Sequence, residues 1–290
     1  MVTGTTTGES HTCRRVFSVY LRSAIIIQYS FYKNLACFTN QLYYAFFTNF
    51  SSQTLFDGAN LTAYNVAFTA LPIFIFGLVA RNFEAESLLE CPELYRRIAR
   101  NKLLSPVELL LWFLLALWHS CVIFFGWVLF WERGGGVLAR SSFGLTVYTT
   151  LMVVVSLKLL FQARSISWTF VLSLLASFLG FLAFDLISHS LVLSTSLLNL
   201  LGHDYPTPGL APLSSEMLMV APVVFSSPAV WLLILLLSVL ALLPDVVVRV
   251  LRKHWAVIKT KLKISRKVLD ARLHQEQYQV SRERSDRGQL

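Results

Sequence analysis

The sequence predicts an all-α, polytopic membrane protein with six membrane-spanning helices and a cytosolic amphipathic tail helix. Three observations carry that prediction. Charged residues make up 14% of the 290-residue chain and hydrophobic ones 55%, with a mean hydropathy of +0.60. A soluble domain carries roughly a quarter charged residues. The apolar residues also gather in runs of spanning length, about 20 residues each. Finally, the basic residues lie almost wholly between and after those runs, on one side of the membrane.

Residues 1–12 are polar and Thr/Gly-rich, and read as a disordered leader without the apolar region of a cleavable signal. The first span covers about 22–47, and the second about 61–79 with Pro72 and Gly77 inside it. Such breakers are tolerated where neighbouring helices satisfy the freed backbone groups. A cytosolic segment, Arg81 to Ser105, leads to the third span at about 107–131, with Trp127 and Trp131 as interfacial anchors. The fourth and fifth spans, about 143–161 and 166–187, are joined by a tight turn. A loop rich in Pro, Ser and Leu from Ser188 to Ser227 precedes the sixth span, about 228–248, which ends near Pro244-Asp245.

With a cytosolic N-terminus, the inner segments hold Arg14, Arg15, Arg81, Arg96, Arg97, Arg100, Lys102, Arg164 and the tail. The outer loops hold Arg133 and Arg140. Both termini are therefore expected in the cytosol. The sequons at Asn49 and Asn60 then face outward, but lie so close to the membrane that they should stay unmodified. The four cysteines form no C-x-x-C pair, so neither a disulfide framework nor a zinc site is suggested.

The net charge of +9 comes mostly from the tail after residue 255. Lys259, Lys261, Lys263, Arg266 and Lys267 surround apolar positions at helical spacing. That pattern fits a helix on an anionic lipid surface or a regulatory helix. It fits equally a basic stop after the last span that packs on a cytosolic domain. No nucleic-acid motif accompanies the charge.

The residues with chemical potential sit in the first two spans. Lys33 and Asn34 lie near the middle of the first, where a lysine costs about 2.5–3.5 kcal/mol on insertion scales. Tyr29, Lys33, Cys37, Asn40, Tyr44 and Thr48 share one helical face, which should turn toward protein or a wet cavity. Asn65, Thr69 and Pro72 share a face of the second span. Lys33 and Asn34 could contact a substrate, or Lys33 could supply a charge in place of a bound cation. A purely structural lysine, bonded to carbonyls of a broken neighbouring helix, accounts for the same residues. His119 reads as a structural hydrogen bonder, Lys158 as a snorkelling lysine, and Asp185 and Asp245 as interfacial.

Several motifs in order then resemble one family. Tyr29-Ser30-Phe31-Tyr32-Lys33-Asn34 resembles the fifth membrane helix of the P4-type ATPases, the phospholipid flippases. Phe50 to Asp57 is similar to the outer loop that follows, and Tyr64 to Pro72 to the sixth helix. Cys91-Pro92-Glu93-Leu94-Tyr95-Arg96 resembles the next inner loop, and Trp118 to Phe125 the seventh helix. Ser156-Leu157-Lys158 with Trp168-Thr169 resembles the eighth-to-ninth region, and Ser226 to Asp245 the tenth. Ser156 stands where the family commonly has Asn. The resemblance covers about Arg14 to Trp255, with residues 13–255 read as the C-terminal membrane domain and 256–290 as a basic tail. The TGES at Thr7–Ser10 matches a P-type ATPase loop motif by chance, since it lacks the folded context.

The resemblance implies the membrane-domain portion, helices five to ten, of an ATP-driven flippase that moves lipid to the cytosolic leaflet. It places Lys33, Asn34, Asn65, Tyr32 and Thr69 along a head-group path. It implies ATP and Mg2+ for the complete enzyme but no cofactor or metal in this chain, which has no DKTG motif and is expected to be inactive as an ATPase. It also implies phospholipid as substrate, a plasma or Golgi/endosomal membrane as host, and a glycosylated accessory β-subunit as partner. The alternatives are a non-catalytic protein that binds lipid or a flippase subunit, and a six-span transporter subunit of another family.

Overall fold

A computed structural model of the chain describes residues 3–79, 104–133, 140–163, 167–188, 220–252, 254, 255 and 258. The helices are α1 (Thr3–Phe47), α2 (Gly58–Ala63), α3 (Ala70–Val79), α4 (Pro106–Arg133), α5 (Arg140–Gln162), α6 (Trp168–Ser188), α7 (Val220–Ser226) and α8 (Pro228–Arg252). A π-helical turn, Tyr64–Phe68, joins α2 to α3, and the described residues contain no strand. The all-α membrane architecture expected from the sequence is thus present.

Five stretches are long and apolar enough to cross a membrane: Gly58–Val79, Pro106–Arg133, Arg140–Gln162, Trp168–Ile187 and Pro228–Arg252. The remaining expected span, the first at about 22–47, lies within α1. That helix has ample length, 45 residues, but Gln28, Lys33, Asn34, Asn40 and Gln41 dilute its apolarity. Residues 1–12, expected to be disordered, are helical from Thr3 onward. Extending an existing helix avoids the nucleation penalty that a free polar segment would face. The expected loop before the last span also contains a helix, α7, and α8 runs through Pro244 to Arg252.

The chain divides into two compact units, Met1–Leu242 and Leu243–Leu290. In the first, α5 is the axial helix. Of its most apolar stretch 78% is buried inside the protein, against 28–33% for the other candidate spans. It packs on α4, α1, α6 and α7, while α1 runs along α4 and α3 lies on α6. In the second unit, Leu243, Val246, Val247, Val250 and Leu251 on α8 are exposed, as are Trp255 and Ile258.

Local chemistry explains the junctions. Asp57 caps α2 by accepting from the Ala59 amide at 3.3 Å. The Thr69 amide reaches back five residues to the Tyr64 carbonyl at 3.1 Å, which defines the wide π turn. Pro72 consequently falls in the first turn of α3, where its missing N–H breaks no helical bond. Arg22 on α1 donates to the Gly77 carbonyl at 3.0 Å, capping the other end of α3. Gly144 on α5 lies against the backbone carbonyl of Leu55, and the Leu55 amide donates to Gln41 Oε1 at 2.9 Å. Together these contacts pin the α1–α2 loop onto the bundle.

The expected interfacial anchor Trp127 is instead a core residue. It is fully buried, and its Nε1 donates to Thr150 Oγ1 at 2.8 Å. Asp185 is likewise internal rather than interfacial: it is buried and accepts from Asn60 Nδ2 at 2.7 Å. Tyr148 completes this cluster by donating to the Asn60 carbonyl at 2.9 Å. A carboxylate inside a membrane bundle needs such polar partners, and α2, α5 and α6 bring them together.

Candidate functional site

The two faces of α1 have opposite fates. Ile27, Phe31, Phe38, Leu42 and Phe46 are exposed and apolar, suited to lipid. The polar stripe turns inward: Tyr29, Lys33, Cys37, Asn40 and Tyr44 are buried. Three oxygens then account for the placement of Lys33, which is 5% exposed. Its Nζ donates to Asn65 Oδ1 and to Thr69 Oγ1, both at 2.6 Å. Its backbone carbonyl accepts from Tyr64 OH at 2.9 Å. Nζ also lies 5.2 Å from the centroid of the Tyr64 ring.

The π turn makes this set. Within it, Thr69 Oγ1 donates to the Tyr64 carbonyl at 2.6 Å. The single hydroxyl proton is thereby engaged, and the remaining lone pairs accept from the lysine. The hydrogen-bond partners of Nζ among the described residues are neutral oxygens, so they do not offset an ammonium charge there. Asn65 is exposed while Thr69 is buried, so the ammonium lies at the edge of the bundle rather than sealed within it. Next to it, Asn34 is half-buried, and its Oδ1 is buried with no hydrogen-bond partner among the described residues. A cation held by neutral oxygens can engage an anionic ligand.

Lys33, Asn65 and Thr69 are therefore joined as one set, and Asn34 is next to Lys33 in the sequence. The acceptors of Lys33 on the broken second span are side-chain oxygens rather than backbone carbonyls, and a structural lysine accounts for these bonds as well. Tyr32 lies elsewhere. It is buried against α4 and α5, where its hydroxyl is hydrogen-bonded to His119 Nδ1 and its ring meets Trp112 edge-on. Lys158 does not snorkel. It is 5% exposed, with Nζ 4.7 Å from the Trp112 ring centroid and 5.5 Å from that of Tyr32. Lys259, Lys261, Lys263, Arg266 and Lys267 lie outside the described residues.

Sequence reasoning missed Tyr64, whose contact with the Lys33 carbonyl depends on the π turn. An i→i+5 turn has no reliable signature in composition, although Tyr64 is the first residue of the motif that drew notice to Asn65. Among the described residues, no three His, Cys, Asp or Glu side chains group as metal ligands.

Comparison with known proteins bears on the family of the chain. Residues 18–257 match the family described as Phospholipid-translocating P-type ATPase C-terminal. The mouse and human proteins named Phospholipid-transporting ATPase IH are each 34% identical over 242 residues, 81% of this chain. The Caenorhabditis elegans Phospholipid-transporting ATPase tat-1 is 30% identical over 236 residues, 79% of this chain. The matched stretch is only 19% of the mouse IH and tat-1 proteins and 20% of the human IH protein, so this chain spans about a fifth of the length of these relatives. The matched region begins within α1 and takes in Lys33, the π turn and every candidate span. By that match the chain belongs to the phospholipid-translocating P-type ATPase C-terminal family.

Proposed function

We propose that this chain supplies part of the phospholipid path of an ATP-driven flippase, with Lys33 as a fixed positive charge that meets the lipid head group. The observation that carries this reading is the Lys33 ammonium, held at 2.6 Å by Asn65 and Thr69 at the edge of the bundle. In this reading Asn34 and Asn65 supply amide groups to the head group, and the acyl chains stay in lipid along the exposed face of α1. A built-in lysine charge stands where a cation pump would bind an ion, so lipid can be moved without a counter-ion. ATP and Mg2+ drive the movement in the complete enzyme, and a glycosylated accessory β-subunit is its partner. Support for both termini being cytosolic comes from the concentration of Lys and Arg in the segments assigned to the inside.

Photocrosslinking tests the path directly. The full chain in nanodiscs, incubated with a phospholipid carrying a photoreactive head group, should give crosslinks on the peptides bearing Lys33–Asn34 and Asn65. Unlabelled lipid should compete them away. Labelling confined to the outward Phe31 and Phe74 faces would sink the assignment.

Two further expectations follow from the same topology. Asn60 should carry no glycan, because its Nδ2 is engaged by Asp185 inside the bundle; glycosidase treatment of the expressed chain should leave the Asn60 peptide mass unchanged. Reversing the charges of Lys259, Lys261, Lys263, Arg266 and Lys267 should weaken binding to anionic vesicles, by about 1 kcal/mol for each basic residue at the surface. Equal binding by the reversed tail in a sedimentation assay would leave only its role as a basic stop.

A further inference from the structure

We infer that His119 and Lys158 are positioning residues for Lys33, acting through Tyr32. The inference rests on Lys33 serving the head group, but its central test does not use lipid. Lys33 has a flexible four-carbon stem, and its reach to Asn65 and Thr69 is set by the azimuth and height of α1. Functional groups of this kind need their support held to about 0.5 Å. Tyr32 is the residue immediately before Lys33 on the helix, about 100° around it, and its side chain meets α4 and α5.

Tyr32 is held from two directions. On α4, His119 is hydrogen-bonded to its hydroxyl, with the two rings edge-on at 5.5 Å. On α5, the Lys158 ammonium lies over the Tyr32 ring at 5.5 Å and over Trp112 at 4.7 Å. Adjacent bonds tie the same stretch of α1 to the same two helices. Tyr29 OH donates to the Val155 carbonyl at 3.2 Å, and Ser120 Oγ donates to the Ala36 carbonyl at 2.9 Å. All these residues are buried or at the edge of burial, so the contacts are part of the core. The arrangement gives His119 and Lys158 a directional task that apolar side chains of similar size could not perform. The hydroxyl fixes how far Tyr32 reaches toward α4, and the cation fixes the plane of its ring.

The test uses the full chain in a nonionic detergent. A membrane-permeant amine reagent labels Lys33, and its labelling rate is read by peptide mass spectrometry. Tyr32→Phe, which removes one oxygen, should raise the Lys33 rate severalfold, as should His119→Leu and Lys158→Met. His119→Gln retains a group able to bond the hydroxyl, and Lys158→Arg retains a cation over the rings; both should stay near the parent rate. The double variant Tyr32→Phe/His119→Leu should match the larger single effect rather than their product, because both remove the same bond. Equal rates in every variant would overturn the inference. So would conservative variants that label as fast as the disruptive ones, which would reduce both residues to packing. If the rates move as expected while phospholipid crosslinking at Lys33 is unchanged, positioning stands and the head-group reading fails.

Discussion

Lys33→Leu is expected to remove the response to phospholipid while leaving the fold intact or modestly destabilised. The reasoning compares two opposed terms. The variant loses two charge-assisted hydrogen bonds, to Asn65 and Thr69. Bonds of that kind contribute about 1.5–3 kcal/mol each. It also relieves the burden of a charge at mid-membrane, about 2.5–3.5 kcal/mol on insertion scales. The two bonds together outweigh that relief somewhat, so the net loss of stability is modest, about 0–3 kcal/mol. Thr69 keeps a partner in the Tyr64 carbonyl, and the exposed Asn65 can turn to a new one. Function has no such compensation, because a leucine offers nothing to an anionic head group. Photocrosslinking of the chain at Asn65 should fall by about tenfold or more, the equivalent of about 1.4 kcal/mol of lost affinity. In a complete flippase carrying this membrane segment, lipid-stimulated dephosphorylation should vanish while phosphorylation by ATP continues. A variant that responds normally to lipid would remove Lys33 from the path.

Gly144→Ala should produce the largest loss of stability of any single-methyl addition among the described glycines of the core. A Cβ there meets the backbone carbonyl of Leu55, which is held by the Gln41 bond on one side and by the buried Phe56 on the other. Neither the axial helix nor the loop can yield cheaply, and forced overpacking costs about 1–3 kcal/mol. At Gly126 the added Cβ meets the Leu237 side chain, whose rotation can absorb part of the overlap. At Gly180 it meets nothing, so the better helix propensity of alanine should stabilise by up to about 1 kcal/mol. Thermal unfolding of the three variants in detergent should therefore rank Gly144→Ala lowest, Gly126→Ala intermediate and Gly180→Ala at or above the parent. A Gly144→Ala melting temperature equal to that of the parent would mean that the loop is not seated on α5 as described.

Much of the architecture is legible in the chain because membrane insertion imposes a simple rule. A stretch of about 20 apolar residues reads as a helix whatever its neighbours do. Hence the spans beginning at Leu61, Val107, Phe143, Ile166 and Pro228 fall within a few residues of the helices found. The candidate site drew notice in the sequence for a related reason. A charge or amide is so unwelcome in that setting that Lys33, Asn34 and Asn65 stand out against it. The sequence-level reading failed where side-chain type is ambiguous about depth. Trp127 and Asp185 resemble interfacial residues, yet both are buried because a partner, Thr150 or Asn60, arrives from another helix.

By itself, then, the sequence determined the all-helical membrane class, the family, and the inward face of α1 with its lysine. The class and the inward face follow from composition and period, and the family from the resemblance of several ordered motifs along the chain. Only the tertiary structure decided what the lysine touches. The pairing with Asn65 and Thr69 depends on a π turn, and the seating of Tyr32 depends on His119 and Lys158 from helices 87 and 126 residues away in the chain. The physical reason is that periodicity records which side of a helix is apolar. It does not record the rotation and height at which two helices meet, and hydrogen bonds a few tenths of an ångström wide are set by those alone.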